Sequence, residues 1–547
     1  MKRFFLFGLL AFACMSSCDR AGRSGRQVFR YNQPEGIGTL DPAYAKNQPI
    51  IWATHQLYNS LTEVGGDLRI MPSLAKRWTI SPDRLQYRFT LRDDVLFHDH
   101  AAFPSGKGRK MVASDVVHSL SRILDPATAS PGAWIFNGRV DSLQPFTALN
   151  DTTFLLKLKS PFPPILGILS MQYCSVIPPE VTRSLGKDFG RNPCGTGPFR
   201  FSAWEEGQAM VFLRNDHYFE KDSAGQTLPY LDAVKISFLD NKAGEFLEFR
   251  QGRLDFMNDI DANFKDEVLS RKGELKAEWM DKIVLQKHPY LNTEYLGILQ
   301  DTMNPLLKGS PLRLKKIRQA MSHAIDRRKM MLYLRNSIGI PAENGFVPFG
   351  LPGFHTDRPR GYAYDPVRAR ELLAEAGFPG GKGLQPVTLY TIPIYAEMGA
   401  FVARQLEEAG IPVRVEAMQR GSLLERIAKN QALFFRGSWI ADYPDAENYL
   451  SVFYGKNPSP PNYTRTNIPE FDRLYQEALL ETNDSIRLAT YRRMDAMVME
   501  QAPVIPLWYD MIIRLVSPAV SGFKPNALNL LELRTTKVDP DKQRTAR

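Results

Sequence analysis

The sequence predicts an α/β protein, because strand signals and helix signals alternate along its whole length. In LQYRFTLRDDVLFHD, residues Leu85, Tyr87, Phe89 and Leu91 share one face of a strand, Asp93-Asp94 marks a turn, and Val95 and Phe97 resume, the pattern of a hairpin. TTFLLKLKS repeats the alternation through Phe154, Leu156 and Leu158. Helices are marked as clearly. SDVVHSLSRILDP reads with Ser114 as N-cap and Val116, Val117, Leu120, Ile123 and Leu124 on one face. DPVRARELLAEAGF starts at Asp365-Pro366 and stops at Gly377.

At 547 residues the chain holds roughly three domains of ordinary size. A hydrophobic fraction of 44% excludes a disordered or fibrous chain. The N-terminus, MKRFFLFGLLAFACMSSCDR, sets Lys2 and Arg3 before an apolar run from Phe4 to Ala13. That run is too short to cross a bilayer and reads as an export signal. Residues 19–27, DRAGRSGRQ, look like a solvated tether.

Outside the signal only Cys174 and Cys194 remain, too few for a zinc site; a bridge between them could form in an oxidising compartment, and its geometry is not legible in sequence. The net charge of +10 falls to +8 once Lys2 and Arg3 are removed. The positive residues are scattered, which argues against nucleic acid. The densest cluster, LRLKKIRQAMSHAIDRRKMM, carries Leu314, Ile317, Met321 and Ile325 at helical spacing, so its basic residues read as a solvated helix face.

Enzyme motifs fail. There is no nucleophile elbow, no His-Glu-x-x-His and no phosphate loop; Gly381-Lys382 is followed by Gly383 rather than Ser or Thr. His98-Asp99-His100 is the one dense ligand cluster. On a strand His98 and His100 would share a face and could chelate a metal, but a polar exit from a sheet is the simpler reading, and neither metal nor cofactor is expected.

Seven blocks, taken in order, give a resemblance over nearly the whole chain. TLDPAYAKNQPIIWATHQLYNSLTEV, LRIMPSLAKRWTISPDRLQYRFTLRDDVLFHD and MVASDVVHSLSRILDP open it. GTGPFRFSAWEEGQAMVFLRNDHYF, IRQAMSHAIDRRKM, YDPVRARELLAEAGFP and WIADYPDAENYLSVFYG follow. Together they resemble the extracytoplasmic solute-binding proteins of the oligopeptide, dipeptide and nickel ABC transporter family. Met15-Ser16-Ser17-Cys18 resembles a lipobox, with Cys18 as the acylated first residue of the mature chain and Cys14 as the weaker candidate.

The resemblance implies a two-lobed, type II periplasmic-binding fold of three domains, closing on a ligand about a hinge. After a signal at 1–17 and a tether at 18–30, domain I would be built from 31–67, 193–288 and 511–547. Domain II would be 68–192 and domain III 289–510. Gly195-Thr196-Gly197-Pro198 is a backbone-permissive turn where a crossing between lobes would fall.

The site residues also follow from the resemblance. In peptide-binding relatives the Asp of a Trp-x-x-Asp block pairs with the ligand's α-amino group, a place that Asp442 occupies after Trp439; a cap or a local Arg pair is the plainer alternative, and it suits Asp445 better. Arg436 stands where some relatives hold the ligand's carboxylate. The loop Ala45-Lys46-Asn47-Gln48 aligns with a segment that offers backbone hydrogen bonds to an extended peptide, which places Asn47 and Gln48 at the ligand. Trp439 and Tyr443 would line side-chain pockets or pack in the core. The expectation is a monomeric, lipid-anchored binding protein in the periplasm that delivers short peptides to a membrane ABC permease. A nickel chelate, a sugar or another solute in the same fold, and more remotely a secreted hydrolase, are the alternatives.

Overall fold

A computed structural model describes residues 25–260, 262–351 and 361–545. The segment read as an export signal, with Cys14 and Cys18, lies outside them. Among the described residues no helix is long and apolar enough to cross a membrane.

One eleven-stranded mixed sheet runs through the molecule. Its order from one edge is Val413–Ala417, Val387–Thr391, Phe434–Ile440, Val284–Ile298, Val504–Val516, Phe256–Asn258, Val28–Asn32, Ala233–Ser237, Ala209–Arg214 and Phe199–Glu205, with Ile340–Pro341 pairing on Val504–Val516. The two longest strands, Val284–Ile298 and Val504–Val516, are antiparallel partners over most of their length. They join the two halves of the sheet. Their ladder breaks between Pro289 and Thr293, where the register shifts. A separate antiparallel sheet of Ala75–Ile80, Gln86–Leu91, Thr153–Lys157 and Phe146–Asn150 packs beside one half. Strand Val28–Asn32 starts inside the stretch read as tether, because Phe29 and Tyr31 are buried among the aromatic rings of Trp52, Phe256 and Phe523.

Where sequence periodicity was strong, the elements agree. Tyr87, Phe89 and Leu91 are buried on one face, as are Phe154 and Leu156 on the neighbouring strand. Helix Pro366–Glu375 is capped by Asp365, whose carboxylate accepts from Val367 and Arg368 N–H groups, and Gly377 follows at φ +92°.

Three local readings are corrected, and the cysteine pairing that the sequence left open is answered. Val95 and Phe97 are buried but form no strand; Leu96 makes only an isolated bridge to Lys110, so Gln86–Leu91 takes its partners from elsewhere in the chain. Helix Ala113–Leu124 starts two residues earlier than Ser114 as N-cap implies, because the Asp115 carboxylate folds back to accept the Val112 N–H at 2.9 Å. Cys174 and Cys194 are separate buried thiols. The basic segment forms two helices, Lys315–Ala324 and Arg327–Leu334, and is only partly solvated, since Arg318 and Arg327 are buried against backbone carbonyls, Arg327 bonding those of Pro506, Ser322, Ile325 and Tyr362 through Nε and Nη1. A guanidinium with five donors can reach four carbonyls at once, as each of these does, whereas a lysine ammonium has only three donors.

Gly195 and Gly197 are needed for close approach rather than for backbone freedom. Neither has a positive φ. A Cβ at Gly195 would lie 2.2 Å from the Leu57 carbonyl oxygen, and one at Gly197 2.3 Å from the Leu57 carbonyl carbon. His98 clamps the same turn. Its Nε2 donates to the Gly197 carbonyl at 3.0 Å while Nδ1 accepts from the Gly195 N–H at 3.3 Å. Both ring nitrogens are therefore occupied, and burial pulls the His98 pKa down to about 4. No group of metal-ligating side chains occurs among the described residues.

Candidate functional site

The strand Phe434–Ile440 pairs along its full length with Asn292–Ile298 on one side. On its other side Val387–Thr391 meets it only at Phe434 and Phe435. From Arg436 onward that second edge has no strand partner among the described residues, so its backbone N–H and C=O groups form a template for an extended chain.

Asp442 stands just past the end of this edge. Ala441 N–H still bonds the Leu291 carbonyl at 2.9 Å, which fixes where the chain leaves the sheet. A short helix, Glu447–Leu450, then returns Asn448 beneath it. The Asn448 side chain accepts from the Trp439 indole N–H at 3.0 Å and from the Asp442 backbone N–H at 3.2 Å. Its oxygen is thereby committed, so its amide nitrogen faces Asp442 and donates to Oδ2 at 3.2 Å. Asp442 is open to solvent, and no basic side chain among the described residues lies within 4 Å of it. Protein nevertheless surrounds it closely enough that desolvation pushes its pKa up, opposed by the Asn448 bond and the more distant charge of Arg139. An accessible carboxylate in a desolvating recess, pinned but without a counter-ion, is poised for a cation.

Asp445 behaves differently. It pairs with Arg487 at 2.8 Å and accepts the Glu447 N–H at 2.9 Å, so it is a turn and ion-pair residue. Tyr443 is buried. Its hydroxyl donates to Glu447, as does that of Tyr475, and its Cβ packs 3.5 Å from the Cβ position of Gly167 across the junction with the smaller sheet's domain. It is a packing residue rather than an open wall. Trp439 is half-buried against the core with its indole tied to Asn448.

Arg436 is not a free cation. Its Nη2 donates to Glu294, which is 2% exposed, and its guanidinium lies over the Tyr395 ring, 3.8 Å from the centroid. Burial drives the Glu294 pKa up while Arg436 pulls it down. Asn47 itself is in extended backbone, at φ −140° and ψ 160°, but the chain turns helical at Gln48. Asn47 caps helix Gln48–Leu57, its side chain accepting from Ile50 N–H, and Gln48 is the first helical residue. Pro49 after them presets the helical φ, which is why the segment coils instead of pairing.

Sequence reasoning missed Asn448 and Glu294. Glu294 carried a signal, a lone carboxylate inside the apolar strand YLNTEYLGIL; Asn448 carried none, because its role depends on a four-residue helix that doubles back.

The chain thus sets two sheet halves on a pair of long strands and ends an unpaired strand edge at an accessible carboxylate. Residues 69–461 match the family of bacterial extracellular solute-binding proteins, family 5 (middle region), and the chain belongs to it. It is 28% identical over 489 residues to heme-binding protein A of Haemophilus influenzae, covering 86% of this chain and 85% of that protein. It is likewise 28% identical over 546 residues to probable di/tripeptide-binding protein 5 of Pseudomonas aeruginosa, covering 94% of both. Among solved structures it resembles the ABC transporter-associated periplasmic binding protein DppA from Helicobacter pylori in complex with peptide STSA. The TM-score is 0.73 at 25% identity, with 94% of this chain and 98% of that one covered. Members of the family are extracytoplasmic solute-binding proteins, not enzymes.

Proposed function

We propose that this protein captures short peptides at the free edge of Phe434–Ile440, holds their amino end on Asp442, and delivers them to an ABC permease in the membrane. The observation that carries the reading is Asp442 itself, an accessible carboxylate without a cationic partner at the end of an unpaired strand edge. An extended peptide supplies both complements, backbone groups for the edge and an ammonium for the carboxylate. The names of the relatives, a di/tripeptide-binding protein and a binding protein in complex with a peptide, support the choice of ligand class.

The remaining parts of the reading are proposals of the same kind. The chain acts as a monomer without catalytic activity. It is anchored through Cys18 after removal of residues 1–17, with 31–67, 193–288 and 511–547 as domain I, 68–192 as domain II and 289–510 as domain III. Asp442 is its central ligand residue. Arg436 and Trp439 border the edge.

The test is binding of free and N-acetylated peptides to the protein and to Asp442→Asn. Removing one partner of a largely desolvated ion pair costs about 3–5 kcal/mol, or roughly two to four orders of magnitude in Kd. Acetylated peptide on the unmodified protein and free peptide on the variant should be weakened alike. Equal binding of acetylated and free peptides would discard the amine anchor, and mass spectrometry of ligands retained on the purified protein would then identify the other solute.

A further inference from the structure

The pair Glu294 and Arg436 bears on the other end of the ligand. The two residues sit diagonally across neighbouring strands, since Glu294 is opposite Ser438 and Arg436 opposite Leu296. Nη2 of Arg436 bonds one Glu294 oxygen, and Asn292 donates to the other at 3.3 Å. Asn292 also donates to Asp510 at 3.2 Å, and Asp510 is itself paired with Arg335 at 2.7 Å. Every cation in this group thus already has a carboxylate. The Arg436 side chain is 12% exposed and that of Glu294 3%, so water screens the pair weakly. Among the described residues, Nη1 of Arg436 has no protein acceptor.

A terminal carboxylate brought to this guanidinium would also meet the field of Glu294. A neutral peptide carbonyl accepting from Nη1 would not be repelled. We propose that Glu294 determines end-group specificity: by neutralising Arg436 it makes the cleft select peptides by their amino end and leaves it indifferent to whether the carboxyl end is free, amidated or extended. The proposal rests on the peptide reading above and adds which part of the peptide goes unread.

The experiment is calorimetry with trialanine, trialanine amide and N-acetyl-trialanine on the intact protein, Glu294→Gln and Arg436→Gln. On the unmodified protein the free acid and the amide should bind within fivefold of each other. Glu294→Gln, which leaves Arg436 its net charge, should favour the free acid by more than fivefold. Arg436→Gln, which leaves Glu294 without its cation, should favour the amide by more than fivefold. A purely structural ion pair would weaken all three ligands together and leave the acid-to-amide ratio unmoved. A preference of the unmodified protein for the free acid beyond fivefold, or an unmoved ratio in whichever variant folds by circular dichroism, overturns the proposal. The acetylated peptide reports separately on Asp442. If it binds as well as trialanine, the amine anchor fails while the acid-to-amide ratio still answers for Glu294, and if trialanine does not bind at all, the peptide reading fails with it.

Discussion

The Asn448 side chain bridges Trp439 and Asp442, accepting from the indole at 3.0 Å and donating to the carboxylate at 3.2 Å. The Trp439 contact decides which way the amide points, and that orientation leaves the other carboxylate oxygen of Asp442 without a hydrogen-bond donor among the described residues.

Reversing this polarity should disable the site without disturbing its shape. Asn448→Asp places a second carboxylate against Asp442, so one of the two takes up a proton or the pair repels. Peptide affinity is expected to fall by roughly 10- to 100-fold, measured by calorimetry at neutral pH, with thermal unfolding checking the fold. Unchanged affinity would show that Asn448 does not present the carboxylate.

Affinity should also depend on acidity in one direction. A ligand ammonium needs Asp442 ionised, and desolvation has raised its pKa above the ordinary 3.8. Binding is therefore full at neutral pH and lost as pH falls through that raised value, at a higher pH than an ordinary aspartate would give. Calorimetry between pH 7 and 4 locates the midpoint, and in Asp442→Asn this titration should disappear.

Acid should weaken the fold through His98. Its pKa lies near 4 in the folded chain, below the ordinary 6.5, so the unfolded chain takes up a proton first as pH falls. Stability is full above about 6.5, declines between 6.5 and about 4, and changes no further below that on this account, for a total of about 3 kcal/mol. Urea midpoints measured at pH 7 and pH 4.5 should converge in His98→Gln relative to the unmodified protein.

Membrane attachment should depend on Cys18. Acyl labelling and globomycin-sensitive processing are expected with the natural sequence and lost in Cys18→Ser. Attachment that survives Cys18→Ser but not a change at Cys14 would move the cleavage site four residues upstream.

The fold was legible where a pattern is local. The alternation in Gln86–Leu91 and Thr153–Lys157 and the Asp365 to Gly377 helix needed only their own residues to be read. At the candidate site, the block resemblance drew attention to Asp442, and the structure finds it an accessible carboxylate without an ion-pair partner among the described residues. What sequence could not supply was partnership at a distance. Arg436 lost its expected freedom to Glu294, 142 residues away, Asp445 found Arg487, 42 residues away, and Arg327 turned from a solvated face to the carbonyl of Pro506, 179 residues away. Asn47 illustrates the opposite limit: it is extended itself but caps the helix that Gln48 and Pro49 begin, a start signal that is local in sequence.

The break in the two long strands has a mechanical consequence. Between Pro289 and Thr293 the ladder skips Tyr290, Leu291 and Asn292, and Leu291 bonds outward instead, its N–H to Ala527 and its carbonyl to Ala441 and Tyr449. On either side the strands stay paired. Two such strands resist sliding past each other but yield in torsion where the rungs are missing, so a twist between the halves would concentrate at that gap and at the smaller register shift between Glu294 and Tyr295. The residue at the gap, Leu291, is bonded directly to the residue that precedes Asp442. That bond, the Tyr449 hydroxyl on the same carbonyl and the Asn292–Ile298 ladder along Phe434–Ile440 together tie the gap to the strand end beside Asp442, so a twist there would reposition this carboxylate.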